Sequence, residues 1–258
     1  MEEVEGIILV LSCEKHKLTR LREFGPKQNN YNGWKVIKVI GNYLLDSTYD
    51  IQDDILYVKC EDTYAHLLKK LALSIKYLYN TFSIKQGVLR CGDDLIFNED
   101  NLVKFVNSTK YDFYGKSACG KNYDSSLNFN LLKKTLYDPF MMNYYINHQD
   151  ELVDKNNGMN FTIEEFNKYL VRPNIWGPQG VVYYISSRAC NIIMDTMEKI
   201  NYNIFHFDEF SQSYPYVIED VGVTYIMYYN LIPFVDGQHF CGNSDNQDLI
   251  AIHTNKYK

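Results

Sequence analysis

The sequence has no apolar run near the roughly 18 residues that a membrane-spanning helix needs. Its first apolar run, residues 6–11, is far too short. Glu2, Glu3 and Glu5 precede it, where a secretory leader carries basic residues. The expectation is a soluble, cytoplasmic protein with no transmembrane segment. An excess of positive charge is also missing: 26 Lys and Arg stand against 32 Asp and Glu, a net charge of -6. That excludes a broad electrostatic grip on a phosphate backbone, so no nucleic-acid partner is expected. The six cysteines, at 13, 60, 91, 119, 190 and 241, form no CxxC pair that would signal zinc. Buried free thiols are the simplest reading. There is no GxGxxG, no GxxxxGK followed by Ser or Thr, and no GxSxG elbow. Dinucleotide binding, a P-loop and a serine-hydrolase triad are therefore not indicated. Repeats and long linkers are absent too, and 258 residues suit one domain.

What the sequence does have is an alternation of two periodicities. Residues 6–12 form a continuous apolar run, as a buried parallel strand does. Further strands are predicted at 34–40, 54–59 and 86–89. Between them, helix-compatible spacing covers 15–24 and stops at Gly25-Pro26. A longer helix is predicted over 64–82, where Leu67, Leu68, Leu71, Ile75, Leu78 and Tyr79 share one face. A short helix over 98–106 has Asn98 as its cap. Strand-helix alternation predicts an α/β fold with a mostly parallel sheet flanked by helices. Ligands of such sheets bind beyond the carboxyl ends of the strands, and Asp93 and Asp94 fall at one of these ends. In the second half, loops are expected over 117–139 and a polar loop at 241–247. A helix is expected at 161–171, a strand at 180–186, a helix at 187–200 and a last short strand or extended tail at 249–253.

Three stretches have the residue types for chemistry. The Asp93-Asp94 pair is either a solvated turn or a cation site. Two ionised carboxylates side by side repel, and oxygen ligands suit Mg or Mn, which complete their shell with substrate phosphates. Glu219-Asp220 is either an acidic helix start or a carboxylate tuned as a general base. His253 is either structural or a ligand that completes a metal shell begun by Asp. His16, His66, His148 and His206 have no such context.

In order along the chain stand Asp62-Thr-Tyr-Ala-His-Leu-Leu-Lys-Lys70, Gly92-Asp-Asp-Leu-Ile-Phe97, Gly180-Val-Val-Tyr-Tyr-Ile-Ser186 and Glu219-Asp-Val-Gly222. Together they resemble the beta-1,3-galactosyltransferase and Fringe-like superfamily, glycosyltransferase family 31. That family orders a Lys-bearing helix, an Asp-Asp-Asp-x-Phe hairpin, a Gly-rich strand and a Glu-Asp-Val motif in the same way. Here Gly92 stands at the first hairpin Asp, and Gly180 alone remains of the glycine run. The resemblance implies a single GT-A domain, with a nucleotide-sugar half over 1–110 and an acceptor half over 111–258. It implies an inverting transfer from a UDP-sugar to a glycan or glycoprotein hydroxyl, assisted by Mn2+ or Mg2+. Asp94 and His253 would hold the metal and Asp220 would be the base. Ser12, Arg20, Lys70, Arg90 and Asp93 would serve the donor, with Arg22 beside Arg20. Trp176, Gly180 and Glu219 would serve the acceptor. A non-catalytic relative that binds nucleotide or glycan is the alternative. A nucleotidyltransferase or phosphatase on a similar sheet is the third reading.

Overall fold

The structure is a computed structural model that describes residues 1–63, 66–117, 177–198, 219–242 and 247–254. From the amino terminus, β1 (Glu2–Val4) leads into β2 (Gly6–Leu11), every residue of which is buried. A 3-10 turn (Glu14–His16) and a single helical turn, α1 (Arg20–Glu23), follow. Next come β3 (Asn30–Tyr31), β4 (Trp34–Gly41), β5 (Tyr49–Gln52) and β6 (Ile55–Val58). Helix α2 (Leu67–Thr81) is followed by β7 (Phe82–Ile84), β8 (Gly87–Gly92), β9 (Leu95–Phe97) and α3 (Glu99–Val106). Then come β10 (Phe113–Ser117), β11 (Pro178–Ser186), α4 (Ser187–Met197) and α5 (Glu219–Tyr229). The last strands are β12 (Phe234–Asp236), β13 (Cys241–Gly242) and β14 (Ala251–His253).

The main sheet runs β12-β10-β11-β8-β2-β4-β6-β5, with β3 beside β4. Strands β8, β2, β4 and β6 are mutually parallel, as the alternation predicts. Strand β11 lies antiparallel to both β8 and β10. Strand β12 runs parallel to β10. A small sheet, β13-β14-β9, sits apart from the main one.

Strand pleating splits the core into two. Ile7, Leu9 and Leu11 face Leu68, Leu71 and Ile75 of α2, Ile193 of α4 and Ile226 of α5. Ile8 and Val10 face Leu102 and Phe105 of α3, with Phe240 and Ala251 from the carboxyl-terminal segment. Helices thus cover both faces, and each fully buried Leu or Ile contributes on the order of 2 kcal/mol. Cys60, Cys91, Cys190 and Cys241 are buried free thiols. Among the described residues no helix is long and apolar enough to cross a membrane.

The structure departs from the sequence expectations in two places near the carboxyl ends of the sheet. The helix expected over 15–24 is only the 3-10 turn and α1. The turn buries no residue and α1 buries only Leu21, so no apolar stripe supports a longer helix. The acidic turn is also not a hairpin. It joins β8 of the main sheet to β9 of the small sheet, and β9 pairs with β14 rather than with β8. The loops expected beyond Ser117, the helix at 161–171 and Trp176 lie outside the described residues.

Candidate active site

Leu11 at the end of β2, Gly92 at the end of β8, and Asp62 and Thr63 just past β6 border a cavity of about 790 Å³. That volume suits a small-molecule or cofactor ligand. Ser12, Arg20, Lys70, Arg90, Asp93, Asp94, Gly180, Glu219, Asp220 and His253 all line it. They come from segments more than 200 positions apart in the chain, because the parallel strands deliver their carboxyl ends to one side. Of the other residues selected from the sequence, Arg22 is exposed and does not line the cavity, and Trp176 lies outside the described residues.

Asp93 is buried and heavily bonded. Ser12 Oγ donates to its Oδ2 at 2.6 Å, His16 Nδ1 stands 2.8 Å from the same oxygen, and Arg20 donates to Oδ1 at 3.1 Å. Asp94 is more open. The same Arg20 nitrogen reaches its Oδ2 at 3.5 Å, and His253 Nε2 lies 3.2 Å from that oxygen. The small sheet makes this meeting possible: Ala251 pairs with Phe97 and His253 with Leu95, while the Thr254 amide donates to the Asp94 carbonyl at 2.9 Å.

The spacing of Asp94 and His253 is that of an ion pair and equally that of two adjacent ligands of a divalent ion. Ligands in adjacent positions around an octahedral ion, at bonds of about 2.1 Å, stand roughly 3 Å apart. The observed separation is 3.2 Å. Among the described residues no cluster of three or more His, Cys, Asp or Glu surrounds an ion position. Gly92 keeps the space beside Asp94 open, since a Cβ there would lie 3.2 Å from Asp94 Oδ1.

Lys70 is a strut under the cavity. Its ammonium donates to the Ser12 carbonyl at 2.6 Å and to Asp62 Oδ1 at 2.8 Å. Asp62 also accepts the amides of Glu14 at 2.8 Å and Gly41 at 3.1 Å. The ion pair therefore ties the ends of β2 and β4 to α2, and the ammonium is largely committed within the protein.

Arg90 and Glu219 line the same cavity, yet their charges are spent on each other. Arg90 Nη2 donates to Glu219 Oε2 at 2.7 Å, with side-chain exposures of 5% and 3%. Arg90 Nη1 donates to the Gly180 carbonyl at 2.5 Å. Tyr183 donates its hydroxyl to Glu219 Oε1. Burial opposes the charge of Arg90, but Glu219 outweighs it and holds the guanidinium protonated. Burial lifts the Glu219 carboxyl to about 7, against the pull of Arg90 and with a push from Asp220. Asp220 is half-buried in the first turn of α5, where the helix amino terminus favours a carboxylate. A Cβ on Gly180 would stand 2.9 Å from Asp220 Cγ, so only glycine lets the strand end approach this carboxylate so closely.

Sequence reasoning missed His16, Asp62 and Tyr183. His16 and Asp62 each follow a buried strand by a few residues, the place where ligand contacts gather, and that position was the available signal. Tyr183 reads as an ordinary strand residue, and nothing local marks its partner 36 positions away. In comparison with known proteins, no family model and no curated protein matches this sequence.

Proposed function

We propose that the chain is an inverting glycosyltransferase of the GT-A type, moving a sugar from a UDP-sugar to a glycan hydroxyl with help from Mn2+ or Mg2+. The observation that carries this reading is convergence. Motifs spread from Ser12 to His253 line one cavity at the carboxyl ends of parallel strands. Asp94 and His253 would hold the ion, with Arg20 and the tightly bonded Asp93 beside it. The ion, when bound, supplies positive charge to the leaving diphosphate. Asp220 lines the same cavity and would be the base that takes the proton of the acceptor hydroxyl. One carboxylate for the metal pole and another for the base is the minimum that an inverting transfer needs.

The test is release of UDP from UDP-sugars with Mn present, absent and chelated, alongside UDP binding. Metal-dependent UDP release is expected. Neither binding nor release with any donor and acceptor would overturn the reading. A second reading, a nucleotide- or glycan-binding relative without turnover, draws on Arg20. Its guanidinium already lies between Asp93 and Asp94 and offsets one of their two charges. Tight UDP binding with no release under any condition would favour it.

A further inference from the structure

Asp220 has two neighbours whose positions are tied to Arg90. On one side the Gly180 peptide lies against its carboxylate, where a Cβ would come within 3.0 Å of Asp220 Oδ2. On the other side stands its chain neighbour Glu219, whose two oxygens are both bonded, one to Arg90 and one to Tyr183. Arg90 is the common member. Its two terminal nitrogens bind the Gly180 carbonyl and the Glu219 carboxylate, which belong to different elements and stand 39 positions apart in sequence.

We propose that the buried Arg90–Glu219 pair is the positioning device of the base, clamping the start of β11 to the first turn of α5 so that Asp220 is fixed at the cavity wall. The inference rests on the reading of Asp220 as the base. Apolar residues of similar volume would hold the two elements together as firmly, since a buried ion pair adds little net stability over such a replacement. What they would not reproduce is the fork of the guanidinium, which sets the direction of both bonds.

Full-length variants separate these roles, with kcat for transfer, Kd for UDP in the presence of Mn, and Tm read on each. Glu219→Gln is expected to lower kcat about 100-fold, the loss expected from roughly 1 Å of misplacement, while Kd for UDP stays within about twofold. Arg90→Lys keeps the charge without the fork and is expected to recover part of kcat relative to Glu219→Gln. The double variant Arg90→Met, Glu219→Gln, which removes both members of the pair, is expected to keep a Tm near the wild type yet have a low kcat. If Glu219→Gln retains the wild-type kcat, the clamp is wrong. If the double variant restores kcat along with Tm, the pair is merely structural, and the proposal is overturned equally. Asp220→Asn tells that failure from a failure of the base itself. A silent Glu219→Gln beside an inactive Asp220→Asn sinks only the clamp. An active Asp220→Asn, or a wild type that binds UDP and never turns over, sinks both.

Discussion

Replacing Gly180 by Ala asks whether the close approach of β11 to Asp220 matters for the chemistry. The new methyl would sit 2.9 Å from Asp220 Cγ and 3.0 Å from its Oδ2. Ordinary carbon contacts need about 3.6 Å, so the carboxylate must retreat by roughly 0.7 Å. The neighbours resist that retreat: Glu219 is locked to Arg90, and Thr224 Oγ1 donates to the Asp220 carbonyl at 2.7 Å. Overpacking of this kind costs about 1–2 kcal/mol of stability. A displacement approaching 1 Å of a group that must meet a hydroxyl costs on the order of 10- to 100-fold in rate. Steady-state transfer at saturating donor, with UDP affinity by calorimetry and Tm by scanning, separates the two effects. The expected result is a kcat lower by at least about tenfold with UDP affinity kept within about twofold. A Gly180→Ala enzyme with wild-type kcat would refute the reasoning, because Asp220 would then tolerate the shift that the methyl imposes.

The metal pole predicts its own loss. Asp94→Asn and His253→Ala should each raise the Mn concentration for half-maximal UDP binding by at least about tenfold, about 1.4 kcal/mol or more per lost ligand. An unchanged Mn titration would remove that residue from the ligand set. Lys70→Ala should act on folding more than on ligand binding. It leaves the Asp62 carboxylate and the Ser12 carbonyl without their buried partner, a loss of about 3 kcal/mol or roughly 6–12 °C in Tm. A larger fall in UDP affinity than in Tm would return Lys70 to the donor site. The Glu219 carboxyl, raised by burial from an ordinary 4.5 to about 7, makes stability fall as pH rises. Below 4.5 both folded and unfolded states are protonated. Between 4.5 and 7 the unfolded chain releases the proton first and gains. The loss from this group is on the order of 3 kcal/mol and is complete above the folded value. Glu219→Gln should flatten that slope, as read by denaturant unfolding at pH 5 and pH 8, and an unchanged slope would show that Glu219 is ionised throughout.

Where a single element dictates its own surroundings, the sequence was readable. The apolar run of β2, the amphipathic face of α2 and the Asn98 cap of α3 each came out as expected. Asn98 accepts from the Asn101 amide at 3.2 Å. A run of apolar residues, a 3.6-residue stripe or a capping oxygen acts within one or two turns of chain, so its signature is local. The expected helix over 15–24 failed for the same reason: its residues keep helical spacing, but only Leu21 finds a core to enter.

By itself the sequence determined the parallel strand-helix alternation, the carboxyl-end position of Asp93 and Asp94, and the acidic and basic residues available for a site. The tertiary structure alone decided how those charges are spent. Strand β14 pairing with β9 brings His253 to Asp94. Packing of α5 against β11 turns Glu219 from an open carboxylate into the partner of Arg90, 129 positions earlier. Lys70 and Asp62 cancel each other beneath the cavity. The physical reason is that the sign of a charge is written in one residue. Its partner, its burial and therefore its use depend on which distant segment the fold sets beside it.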